Sequence, residues 1–249
     1  MLPNDYYDEW DRLIKDWYNN ASALSAFIGR GLSLNYLPEP FYGDMENCSL
    51  VVINLNPGKG LSEQHWNSQN TLGTIANDVK ITGYSAYAKS FPLLSGKGPT
   101  PSVNWWEERN CWLDRILGFK GVKTDKNPFA IELVPLHSAS FRISNPSGYV
   151  AGIQSINHKL DVIAAIEYGV LHSDAQFGVA VGRPIRDTLV NNGFSPVCAP
   201  YPPLAGKKRY YEVLEKKGIK ILCTWAQGSN KAPASHYVPS EDNLVKTYL

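Results

Sequence analysis

Two side chains stand out by type and place. Glu132 is the one charged residue in the apolar run Phe129 to Leu136 (FAIELVPL), and Asn56 follows the apolar run Leu50 to Leu55 (LVVINL). A buried carboxylate costs several kcal/mol unless it is paired. Glu132 therefore either meets a Lys or Arg at a sheet edge or points into a pocket, where its ionised form offers a ligand acceptors only. Asn56 opens Asn56-Pro57-Gly58. Its carboxamide can hold a water, and the Pro57-Gly58 turn lets backbone amides approach a ligand. The same three residues also make a plain strand-closing turn. His137 directly follows the second run, as a donor at a pocket mouth or as a solvated loop histidine.

Weaker candidates surround these. Gln227, Ser229 and Asn230 supply neutral hydrogen bonds, or are ordinary loop chemistry. Trp66, ten residues after Asn56, offers a stacking face, with Tyr84, Tyr87 and Phe91 as rivals; packing is the other reading for all four. Lys59, Arg183, Lys207, Lys208, Arg209 and Lys231 could meet phosphates, with Lys207-Lys208-Arg209 the dense run. A solvated hairpin flank explains that run equally. Ser144-Asn145-Pro146-Ser147-Gly148 reads as an Asn or Ser cap with Pro opening a helix.

These residues need a frame. LVVINL, FAIELVPL, FGVAVG (Phe177 to Gly182) and Ile219 to Thr224 are apolar throughout, or nearly so, the mark of strands covered on both faces. Between them lie helical patterns. Asn104 and Glu107 form a capping pair before Trp106, Trp112, Leu113, Ile116 and Leu117. A second helix is predicted over 155–171 with Ile156, Leu160, Ile163 and Ile166 inward, and a third begins at Pro184 and ends before Gly193. RYYEVLEKKGIKILCTW reads as a hairpin turning at Lys217-Gly218. Asp5 caps a first helix carrying Trp10, Leu13, Ile14 and Trp17, and Ser240 caps a last one. Residues 31–43 read as loop, and 61–103 give no clear pattern beyond one helix near 71–79. Strand and helix alternate, so the expected fold is α/β: a three-layer sandwich around a central, mostly parallel four-stranded sheet. Residues 1–249 form a single domain with an N-terminal helical extension. The binding crevice of such a sheet lies at the carboxyl ends of its strands, where the candidates fall.

At 249 residues and 43% hydrophobic the chain can bury a core, which excludes disorder. No apolar run reaches the length of a membrane span, and the acidic, aromatic start is no signal peptide. The net charge of +1 leaves no broad basic field, so a nucleic-acid site needs a local patch. The four cysteines and five histidines are scattered. That spacing excludes a CxxC or HExxH metal site and fits buried thiols in a reducing cytoplasm.

The ordered set resembles the uracil-DNA glycosylase superfamily, closest to its mismatch-specific and single-strand-selective branches. LVVINL with Asn56-Pro57-Gly58 is similar to motif one. NWWEERNCWLDRILGF looks like the helix that follows it, ELVPL like the second strand, and VAVGRPIRDTLVNNGF like the third strand and its helix. The likeness spans about residues 48 to 236. It implies that fold, a base bound by Pro57, Gly58, Trp66, Gln227, Ser229 and Asn230, and N-glycosidic bond hydrolysis in base excision repair. Asn56, Glu132 and His137 would be the catalytic groups. Partners would be single- or double-stranded DNA, or a free nucleobase or nucleotide, with no membrane. A monomer without cofactor or metal is expected. Two departures point away from uracil. The second motif reads Thr224-Trp225-Ala226-Gln227-Gly228-Ser229-Asn230, without the His that stabilises a departing base anion. Glu132 also stands where the family reads its base with Asn. Two further readings are a catalytically faded binder of DNA or nucleotide, and an unrelated small-molecule α/β enzyme.

Overall fold

The computed structural model describes residues 3–28, 32–34, 36–55, 57, 79, 82–90, 100–119, 121–122, 127–138, 145–197, 209–226 and 239–249. The four apolar runs become β2 (Val51–Asn54), β3 (Phe129–Glu132), β4 (Phe177–Val181) and β7 (Ile219–Ala226). They are mutually parallel and form the centre of the sheet. The sheet itself is larger than expected and mixed. Antiparallel strands β1 (Phe41–Tyr42), β5 (Ser195–Pro196) and β6 (Arg209–Lys216) extend it to seven, in the order β1-β3-β2-β4-β7-β6-β5. Four strands were expected because buried strands alone carry a continuous apolar signal; β1 and β5 are too short to carry any.

Strand β6 joins β7 through Lys217-Gly218, both at positive φ (52° and 83°), the backbone that a two-residue hairpin turn needs. The first central strand, β2, connects to β3 on one side, whereas β4 connects to β7 on the other. The strand order therefore reverses between β2 and β4, and sheets of this kind bind ligands at such a switch point, outside the carboxyl ends of the strands.

Seven α-helices are described. These are α1 (Pro3–Asn19), α2 (Tyr84–Lys89), α3 (Thr100–Phe119), α4 (Pro146–Ile156), α5 (Val162–His172), α6 (Arg183–Asn191) and α7 (Pro239–Tyr248). The backbone of α5 lies close on β2 and β3: a Cβ at Gly169 would stand 3.0 Å from Val51 Cγ2. α3 and α7 pack together, and α7 meets β6. α1 buries Tyr6, Tyr7, Trp10, Leu13 and Ile14 in the same core cluster as the central strands.

Several sequence expectations need correction. α3 begins at Thr100, so Asn104 lies inside it rather than at its cap. Asp5 sits in the first turn of α1, and α7 starts one residue before Ser240. The helix expected over 155–171 is broken. Asn157 ends α4, and its side chain then accepts from Lys159 N to start a 3-10 turn; Asp161 accepts from Ala164 N to start α5. Two local caps override the periodicity, and Ile156 is left exposed while Leu160, Ile163 and Ile166 are buried. Cys48 and Cys223 are buried but Cys111 is exposed, so not every thiol is shielded. The Asn145 cap and the Pro146 helix start match the sequence reading, and α6 starts at Arg183, one residue before Pro184.

Candidate functional site

The carboxyl ends of β3 and β2 carry Glu132 and Asn54 in register, side by side on one face of the sheet. Strand alternation puts Ile131 and Ile53 on the opposite face. Asn54 Nδ2 donates to Glu132 Oε1 at 2.9 Å, and both residues are buried. The backbone fixes both: Glu132 N donates to Pro40 O and Leu133 N to Asn54 O. Glu132 is thus not at a sheet edge paired to a surface cation, because β1 covers that side of β3.

Burial pushes the Glu132 carboxyl up to about 8. The Asn54 hydrogen bond opposes the rise, the Glu39 charge adds to it, and Arg109 of α3 opposes it. At neutral pH the group is mostly an uncharged acid, not the acceptor-only carboxylate that its formula suggests. With Oε1 occupied by Asn54, the acid proton belongs on Oε2. Glu132 Oε2 and Asn54 Oδ1 are both fully buried without a hydrogen-bond partner. Orphan polar atoms of this kind are rare in folded proteins and call for an explanation.

His137 is not a solvated loop histidine. It is buried, its backbone bridges Ser33, and its Nε2 lies 3.1 Å from Leu37 O and 3.3 Å from Glu39 Oε1. The Tyr36 ring packs 5.5 Å from it. Tyr84 is a core residue donating to Phe41 O, and Tyr87 packs on the Tyr42 and Tyr84 rings.

Farther along the same rim, Arg183 is exposed at the start of α6 with Nε 3.6 Å from Asp187. Arg209 Nη1 donates to Thr224 Oγ1 at 3.3 Å. Arg183 follows the end of β4, and Arg209 pairs with Ala226 of β7, so the strands that carry them are two apart in the sheet. On the face of β6 and β7 opposite Arg209, the half-buried Tyr210 and Trp225 stack, with centroids 5.6 Å apart and planes 13° off parallel.

The chain matches no protein-family model, no curated protein and no solved structure. The assignment of chemistry therefore rests on the geometry and on the residues themselves. Pro57 is half-buried just beyond β2. Asn56, Gly58, Lys59, Trp66, Phe91, Lys207, Lys208, Gln227, Ser229, Asn230 and Lys231 lie outside the described residues, as does all but Val79 of the helix expected near 71–79. Among the described residues no three His, Cys, Asp or Glu side chains converge as a metal site, and no helix is long and apolar enough to cross a membrane.

Sequence reasoning brought Glu132 to the strand ends but missed Asn54, Glu39 and Arg109. Asn54 had a visible signal, a lone amide inside LVVINL. Glu39, between two prolines in apparent loop, and Arg109, within a helix, had none.

Proposed function

We propose that the chain is a uracil-DNA glycosylase-like protein that binds a nucleobase in DNA and hydrolyses its N-glycosidic bond, the base being one other than uracil. The observation that carries this reading is an uncharged Glu132 with an unpartnered Oε2 at the carboxyl ends of the central strands. Uracil leaves as an anion and needs the His absent from the second motif. A base that leaves poorly as an anion needs a proton instead, and a neutral carboxyl near 8 is tuned to give one at neutral pH. In this scheme Asn56 holds the water beneath C1′. The C1′–N bond breaks with its electron pair going to the base, while Glu132 passes its proton to a base nitrogen. The water oxygen bonds to C1′ and releases a proton to solvent, which also reprotonates Glu132. Arg183 and Arg209 face the DNA backbone, together with the basic residues of the flanking segments.

The test is base release from single-stranded oligonucleotides, each carrying one candidate base, with wild type beside Glu132→Gln. Release lost in Glu132→Gln with binding retained supports the acid role; equal release by both overturns it. Binding is expected to weaken with salt, at a log–log slope of about −0.7 to −0.9 per phosphate contact. An affinity unchanged by salt contradicts the backbone contacts. One observation favours the faded binder as a second reading: His137 Nε2 is occupied by Leu37 and Glu39 and so is not aimed at a leaving base. That reading expects binding with no release of any base.

A further inference from the structure

We infer that Asn54 and Glu132 form a two-atom reader for the amidine edge of an amino base, an exocyclic NH2 beside an unprotonated ring nitrogen, as in cytosine or adenine. This rests on the nucleobase reading above and names the substrate class of the same site. Three features carry it. The two residues are in register on adjacent parallel strands, so their side chains leave the sheet together. The 2.9 Å bond from Asn54 Nδ2 to Glu132 Oε1 uses one polar atom of each and orients both groups. The two atoms that remain, Asn54 Oδ1 and Glu132 Oε2, are buried and have no partner. What sets these two orphan atoms apart from others in the core is that they stand in register at the carboxyl ends of the central strands, where a half-satisfied polar pair is open to a ligand.

The bond also fixes what each free atom offers. Asn54 has committed one amide hydrogen toward Glu132, and its remaining polar atom, the buried Oδ1, accepts. Glu132 accepts at Oε1, which leaves the proton on Oε2, so that atom donates. The pattern presented is acceptor at Asn54 and donor at Glu132. An amino base meets it with N–H toward Oδ1 and ring nitrogen toward Oε2–H. Deamination reverses both positions: the amino group becomes a carbonyl facing Oδ1, and the ring nitrogen gains a hydrogen facing Oε2–H. Uracil and hypoxanthine are thereby rejected by the same two atoms. Asn54 acts here as a specificity-determining residue and Glu132 as its partner.

The experiment measures binding by fluorescence anisotropy to oligothymidylate carrying one cytosine, adenine, uracil or hypoxanthine. At pH 6.5 the amino-base strands should bind about 10-fold tighter than their deaminated counterparts. Asn54→Leu should abolish that preference. Glu132→Gln, whose amide still donates, should keep it while losing base release. If Asn54→Leu fails to fold, the pH profile of the wild type decides. Above about pH 8 the Oε2 proton is lost and the preference should collapse; a preference constant from pH 6 to 9.5 overturns the reader. Binding without preference, or in favour of the deaminated bases, overturns the reader and leaves the nucleobase reading standing. No binding to any of the strands overturns both.

Discussion

Among the described residues two glutamates are buried in the sheet, and the chain treats them oppositely. Glu212 of β6 is wholly buried opposite Cys223, and Arg186 of α6 reaches it with Nε at 2.6 Å and Nη2 at 3.3 Å, one guanidinium nitrogen to each carboxylate oxygen. Glu132 of β3 has a neutral amide on one oxygen and nothing on the other. The first arrangement is closed: desolvation is offset by a bidentate cation, and neither oxygen is left for a ligand. The second is open, and the group responds to burial by giving up its charge. A buried carboxylate in a strand is therefore no sign of function until its second oxygen has been accounted for.

The largest effect should come from opening the closed pair. Arg186→Met leaves Glu212 buried without its cation and should cost about 3–5 kcal/mol, read as a fall in the urea midpoint at unchanged slope. Replacing both partners with apolar residues should recover most of that loss; no recovery would mean that Arg186 acts through something other than Glu212.

Glu132 should show itself next, as a pH dependence. Below about pH 4.5 its carboxyl is protonated in folded and unfolded chains alike. Between about 4.5 and about 8 the unfolded chain releases the proton and the folded one keeps it, so stability falls as pH rises and levels off above about 8. The loss should be on the order of a few kcal/mol, measured as the difference in denaturation free energy between wild type and Glu132→Gln across that range. Parallel profiles for the two proteins would show that Glu132 ionises freely in the fold. A smaller shift should follow Asn54→Leu. The hydrogen bond from Asn54 lowers the Glu132 value, so removing it should extend the falling limb to higher pH. Smallest is a control that touches neither carboxylate. Asn145→Ala removes the cap on Gly148 N at the start of α4 and should cost about 1 kcal/mol at every pH.

The same contrast explains what could be read from the chain beforehand. β2, β3, β4 and β7 were legible because a strand covered on both faces is a continuous apolar run, and Glu132 was conspicuous as the charge interrupting one. Asn54 interrupts another run just as plainly, yet Asn56 beside Pro57 and Gly58 outweighed it as a turn signal. Glu212 carried no such contrast, because its strand RYYEVLEK mixes charged and apolar residues. Arg186 and Glu212 are 26 residues apart and Glu39 and His137 still farther, and nothing local in the sequence pairs them. The broken helix at 157–161 was legible in principle: Asn157 and Asp161 are both good caps, but a regular spacing of Ile and Leu read straight through them.

The outermost strands of the sheet have a consequence for the molecule among its neighbours. Any open sheet ends in backbone that another chain could pair with. Here β1 and β5 are each two residues long, and β5 includes Pro196, which has no amide hydrogen to give. The parallel centre, with its long apolar runs, has β1 on one side and the eight-residue β6 on the other, and β5 pairs with Leu214 and Glu215 on the outer edge of β6. The four apolar strands most prone to join others into fibrils are thus all internal, each with a strand on both sides, and the outermost strands are the two shortest.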